Sequence, residues 1–168
     1  LYSDGSRWFD LVEMLREHLE VQRAANDAHA VVSLLVRIAR IAEQHLQDAD
    51  LAIDSLNEVL EYDPNHAGAL NVLGGLYERS GEWARAAETL AKSIEHAEGA
   101  ARAEAHRRLG LLYIGQLDEP EKGRAALEAA VNETGDAEAA AALLDLDKAK
   151  RGLLPVAGSG EVLEAVSH

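Results

Sequence analysis

Apolar residues recur along this chain at steps of three and four. Leu70, Leu73, Gly74 and Tyr77 fall at i, i+3, i+4 and i+7, which places them on one stripe of a helix. Ser80-Gly81 ends that helix, because glycine tolerates the left-handed geometry just past a last turn. A second helix runs from Glu82, with Trp83, Ala86, Ala87, Leu90 and Ile94 on one face. Two short amphipathic helices with a tight turn between them form a helical hairpin. Val, Ile and Thr nowhere cluster in alternating runs, so no strand is expected.

The hairpin recurs. Upstream, Leu35, Ile38, Ala39 and Ala42 supply the first-helix stripe, and Ala52, Leu56 and Val59 the second. That second helix stops at Tyr62-Asp63-Pro64-Asn65, since proline cannot extend a helix and disfavours helical geometry in the residue before it. Downstream, Leu109, Gly110 and Tyr113 repeat the first helix, and Gly123, Leu127 and Ala130 the second. Gly74 and Gly110 are 36 residues apart, as are Tyr77 and Tyr113, while Ala39 and Gly74 differ by 35. A period of this size marks stacked repeats, because one hairpin cannot bury its apolar stripe alone.

Tyr2, Trp8 and Leu11 sit where Tyr77, Trp83 and Ala86 sit, so the sequence is expected to open inside a repeat, on its second helix. Leu11 to Ala52 spans 41 residues, against 34 from Ala52 to Ala86. The surplus predicts longer helices in the first crossing, with a turn near Asn26-Asp27. Ala139 to Lys150 predicts a last first-helix, stopped by Arg151-Gly152. The expected organisation is one helical repeat domain over residues 1–151, followed by a tail or cap over 152–168. Within it fall a partial repeat at 1–27, repeats at about 28–66, 67–99 and 100–135, and a terminal helix at 136–151. In the tail, Pro155 and Gly158-Ser159-Gly160 break helix, while Val162, Leu163 and Val166 suit a short terminal turn.

Leu70-x-x-Leu73-Gly74-x-x-Tyr77, followed by Ala86 and Leu90 and preceded by Pro64, is similar to the tetratricopeptide repeat. The similarity is strong over 67–98 and weaker across the rest of residues 1–150. The openings before Trp83 and Trp8 also resemble those of long arrays in large bacterial proteins. This resemblance implies an all-α fold, an α-α superhelix built as a right-handed solenoid of stacked antiparallel hairpins. The chain departs from the pattern in the fourth unit. Gly123 stands where the second helix usually carries Ala, Gln116-Leu117-Asp118 adds a residue to the turn, and no proline matches at Glu98.

The resemblance also implies a non-catalytic scaffold that binds a peptide or partner subunit in a groove lined by the first helices. Its groove-facing positions fall here on Ser33, Val36, Arg40, Glu43 and Gln44, then Asn71, Gly75, Glu78 and Arg79, then Glu104, Arg107, Leu111 and Ile114. The expected binding set is Arg40, Glu43, Gln44, Asn71, Glu78, Arg79, Glu104 and Arg107. Some family members clamp a C-terminal carboxylate with Lys and Asn. Only Asn71 and the arginines at those places could imitate that clamp, so a chaperone tail is not the expected ligand. The alternative is a structural segment that assembles end to end with further repeats or with its own copy, since an uncapped end exposes apolar surface.

Charge narrows the partners. Thirty acidic residues against 16 basic give a net charge of -14, so nucleic acid and anionic membrane surfaces are not expected ligands. Bulk charge of this sign steers basic partners. The absence of cysteine excludes disulfides and thiolate metal sites, and favours the cytoplasm without fixing it. No apolar run approaches the ~20 residues that span a bilayer. Nucleophile-elbow, phosphate-loop and zinc-protease motifs are missing, and Ser159 sits in a flexible Ala-Gly-Ser-Gly stretch. No enzyme, cofactor or metal is expected. His45/Asp48 and Asp63/His66 have helical ligand spacing but lie at helix ends, and Trp8 and Trp83 lie on apolar stripes that suit core packing.

Overall fold

The computed structural model describes residues 4–152; Tyr2 and the tail from Leu153 lie outside them. Eight α-helices and no strand occur among the described residues. They are α1 (Asp4–Ala24), α2 (Ala28–Ile41), α3 (Ala49–Tyr62), α4 (Ala67–Ser80), α5 (Trp83–His96), α6 (Gly99–Gly115), α7 (Pro120–Thr134) and α8 (Ala137–Lys150). A π-helical turn, Ala42–Leu46, extends α2. The chain forms two compact units, Leu1–His96 with α1 to α5 and Ala97–His168 with α6 to α8.

Polar side chains at the junctions cap the starts of α2, α3, α4 and α8. Asp27 accepts from the Ala30 N–H and Asp48 from the Leu51 N–H, both at 3.0 Å, so each satisfies a backbone donor that the first turn leaves open. Gly81 closes α4 at φ +75°. Its N–H reaches the Glu78 carbonyl at 3.2 Å, and the Glu82 N–H reaches the Tyr77 carbonyl at 2.9 Å, the paired bonds of a glycine-terminated helix. The surplus of residues in the first crossing goes to two places: α1 is 21 residues long, and the π-turn lengthens α2 before Gln47 reverses the chain at φ +53°. The turn between α1 and α2 falls at Asn26, with φ +55°.

In the first unit α2 packs between α1 and α3, and α4 between α3 and α5. Leu35, Ile38, Leu56, Val59, Leu70, Leu73 and Leu90 form the apolar core, none more than 3% exposed. Burying each leucine contributes about 1.5–3 kcal/mol. Ala52 and Ala86 are fully buried and Gly74 is buried on α4, small side chains that let helix axes approach. Arg23 bridges Glu20 on its own helix and Glu58 on α3, and Arg79 of α4 pairs with Glu43 of the π-turn. Such partly exposed pairs are worth about 0–1 kcal/mol each; apolar burial carries the unit.

The second unit is held by a backbone-to-backbone approach. A Cβ added at Gly110 of α6 would lie 2.9 Å from the Gly123 carbonyl oxygen, and one at Gly123 of α7 would lie 2.8 Å from that of Gly110. The two glycines face each other where the helices cross. Leu127, Ala130 and Ala139 form the core beside them, with Ile114, Val131, Ala142 and Leu143 packed against it. Arg107 of α6 reaches Asp136 and Glu138 at the start of α8, at 3.6 and 2.7 Å. Arg124 with Asp147 and Lys150 with Glu121 join α7 to α8.

These pairs set a pH dependence. Lys150 holds Glu121, and Arg124 holds Asp147, below the usual carboxylate range. Burial holds the His106 imidazole below its ordinary value, with Arg102 adding to the effect and Glu133 opposing it. A histidine depressed in the fold is protonated first in the unfolded chain, so stability falls as pH drops below about 6.5. The carboxylate contribution is present above about pH 4 and is lost as pH falls through the depressed folded values. Urea unfolding followed by circular dichroism should therefore show the second unit weakening from pH 7 to pH 4. His106→Gln should remove the loss nearer neutrality, and an unchanged profile in that variant would contradict the assignment to His106.

Candidate functional site

The first unit carries a groove along one face of α2, closed on its other side by the end of α3 and the start of α4. A cavity of about 610 Å³ is lined by His29, Val32, Val36, Arg37 and Arg40 of α2, with Tyr62, Asp63 and His66 opposite. A second, of about 300 Å³, is lined by Val36, Ala39, Arg40, Glu43 and Gln44, with His66, Ala69 and Val72 across from them. The two share Val36, Arg40 and His66, so they form one continuous depression. Its floor is apolar. Tyr62 and Val72 expose 44% and 37% of their surface, more than a core role requires.

Helical spacing explains how α2 builds this wall. Val32, Val36, Arg40 and Glu43 follow at steps of four, four and three, which keeps them on one side. Val31, Leu35, Ile38 and Ala39 turn inward and are buried. The same helix thus packs on one stripe and lines the depression with the adjacent one. His66 anchors the opposite wall. Its Nδ1 accepts from the Ala69 N–H at 3.0 Å, capping α4 in the place that Asp or Asn usually fills. His66→Ala should cost about 0.5–2 kcal/mol and His66→Asn much less, read from urea midpoints. Equal loss in both variants would show that the imidazole acts by packing instead.

The expected binding residues divide by unit. Arg40, Glu43 and Gln44 line the groove. Asn71 and Glu78 lie half-buried on α4, and both have partners of their own. Arg79 is exposed and pairs with Glu43 at 2.5 Å, so it borders the depression through that carboxylate. Glu104 and Arg107 belong to α6 in the second unit. Glu104 is exposed there, while Arg107 is taken up by Asp136 and Glu138. Ile114, named with them on the first-helix face, packs against the core of that unit. Arg37, His29, Val32 and Tyr62 line the groove without having been singled out. Arg37 and Val32 could have been found from their positions one turn from Arg40 and Val36; Tyr62 depends on where α3 ends.

Other sequence features resolve into structural roles. Asp48 and His66 are helix caps, and among the described residues no three His, Cys, Asp or Glu side chains gather around a common point. Trp8 is half-buried rather than core, with its ring stacked on His45 at 3.6 Å between centroids. No described helix is long and apolar enough to cross a membrane.

Repeated helical hairpins of this kind define an all-α protein of the α-α superhelix class. A tetratricopeptide repeat family model matches residues 41–109, and the hairpins within that stretch are tetratricopeptide repeats. Its fold is similar to the N-terminal domain of stress-induced protein-1 from C. elegans (TM-score 0.67, 16% identity, 73% of this chain and 98% of that one). It is also similar to MamA (TM-score 0.67, 22% identity, 91% and 88%) and to PilF of Pseudomonas aeruginosa (TM-score 0.62, 16% identity, 89% and 70%). No curated protein matches the sequence. At these identities the solved structures speak for the fold alone.

Proposed function

We propose that this protein is a non-catalytic scaffold that holds a peptide or a partner subunit in the groove of its first unit. The observation that carries the reading is the continuous depression along α2, with an apolar floor and arginine on its wall. Apolar concavities with a few placed polar groups are the usual form of a binding site. Arg40, Glu43 and Gln44 are the contact residues, with Asn71, Glu78 and Arg79 along the adjoining helix; Glu104 and Arg107 belong to the second unit and stand outside this groove. A soluble compartment, the cytoplasm first, suits a chain without cysteine or an apolar span.

The test is capture of partners from the source cell by the intact protein, compared with Arg40→Glu and Val72→Glu variants. Partners retained by the native protein should fall at least tenfold in both variants, with the far-ultraviolet spectrum unchanged. Partners that bind both variants as well as the native protein would move the site elsewhere.

Self-association is the second reading. Phe9, Met14 and Val21 of α1 are 58%, 58% and 61% exposed, and Met14 and Val21, on one side of the helix, are apolar side chains that a second copy could cover. A mass of 18.1 kDa by light scattering at micromolar concentration would exclude it.

A further inference from the structure

A second depression in the first unit shares no lining residue with the groove along α2. We infer that it docks a basic segment of a partner protein, which sets lysine or arginine side chains against its carboxylates and an apolar side chain against Phe9.

Helices α1 and α3 both pack on α2 and leave a trough of about 430 Å³ between them. Leu35 and Ile38 of α2 close its floor, with Leu19 and Leu51 beside them. Its walls are acidic, with Glu13, Glu17 and Glu20 on α1 and Asp54 and Glu58 on α3. The cations in the lining are Arg16 and Arg23, so five carboxylates stand against two guanidiniums, a net charge of -3. Both arginines are engaged, Arg16 by Glu13 and Arg23 by Glu20 and Glu58. Among the described residues no cation pairs with Glu17 or Asp54, and both are exposed. Lysine and arginine of an incoming chain meet such carboxylates with charge-assisted hydrogen bonds.

An apolar anchor lies beside the acids. Phe9 precedes Glu13 by four residues and so stands one turn away on the same side of α1. It is 58% exposed and has no part in the core. The matching crossing one repeat further on lacks these features. Between α3 and α5 a depression is lined by Arg85, Glu88 and Lys92. There Lys92 takes Glu88 at 3.1 Å, and Arg85 takes Glu82 at 2.7 Å. Surplus acid is thus particular to the trough between α1 and α3 and does not come with the repeat. The net charge of -14 draws basic molecules to the protein from a distance, and the trough gives them a place to seat. A second copy fits it poorly, because a two-fold contact would set these acids against themselves.

The experiment is fluorescence-anisotropy titration of the intact protein with a labelled amphipathic peptide of lysine and leucine, and with its glutamate and leucine counterpart. The lysine peptide should bind, more weakly as salt rises, and the glutamate peptide should not. Glu17→Lys/Asp54→Lys should lower the affinity roughly tenfold, and Phe9→Ser should lower it too. Glu88→Lys/Glu95→Lys makes the same change in net charge on α5 and should bind as the native protein does. Equal loss in both double variants would reduce the attraction to bulk charge and overturn the inference, as would no binding at all. Loss in Val72→Glu with retention in Glu17→Lys/Asp54→Lys would seat the peptide in the groove along α2 and overturn it equally. A dimer by light scattering that Phe9→Ser returns to monomer would give the face to a second copy instead. Glu17→Gln/Asp54→Gln guards against misfolding; it should weaken binding by a smaller factor, and unchanged affinity there would contradict the assignment.

Discussion

Leu73→Ala is expected to destabilise the first unit by about 2–5 kcal/mol. Leu73 is 2% exposed and lies on the buried stripe of α4 with Leu70, Gly74 and Tyr77. Truncation removes the transfer free energy of the lost carbons and leaves a void that tightly packed helices fill only in part. Both tryptophans, Trp8 and Trp83, lie in this unit, so urea unfolding followed by tryptophan fluorescence reports on it. The midpoint should fall clearly. An unshifted midpoint would mean that the stripe assigned to α4 is not the one that packs.

Gly123→Ala is the second large effect, and its sign is diagnostic. In an unobstructed helix, exchanging glycine for alanine stabilises by about 0.8–1 kcal/mol. Here the new methyl would lie 2.4 Å from Ile114 Cγ1 and 2.8 Å from the Gly110 carbonyl oxygen. A rotamer change could move the isoleucine, but only separation of α6 from α7 relieves the backbone contact. The variant should lose about 1–3 kcal/mol, and Gly110→Ala should do likewise. Gly115→Ala is the control, because nothing lies within 4 Å of its added carbon. Circular dichroism should show an unfolding step that weakens in Gly123→Ala and Gly110→Ala and not in Gly115→Ala. Stabilisation by all three would contradict the close crossing.

These two predictions also show what the sequence made legible. The first hairpin could be read from Leu70, Leu73, Gly74, Tyr77 and Gly81 because spacing and the glycine cap are local properties. Gly123, by contrast, looked like a departure from the repeat pattern. Its reason is Gly110 across the helix crossing, a relation between residues 13 apart that no periodicity displays. The lengthened turn after α6 is likewise local, with Asp118 at φ +52°, but its position in the fold is not. Along α2 the outward stripe was legible, and Arg40 fell on it. That Arg37 and Tyr62 join it depends on how the end of α3 overhangs the helix. His66 gave no signal as a cap, since imidazole rarely takes that place.

A division of labour follows within α2. Its buried stripe ties α1 to α3, and its outer stripe supplies the groove wall, so substitutions at Val32, Val36, Arg37 and Arg40 should alter binding with little cost in stability. The exposed position of both arginines makes them suited to exactly one kind of readout, a change in ligand affinity.

Backbone amide chemical-shift mapping with a peptide from a captured partner tests the groove most directly. The account predicts perturbations concentrated at residues 29–43 and 62–72, with Arg37, Arg40 and Val72 among the largest. Shifts confined to α1 and α3 over Glu13, Glu17 and Glu58, or to the helices from Gly99 onward, would contradict it.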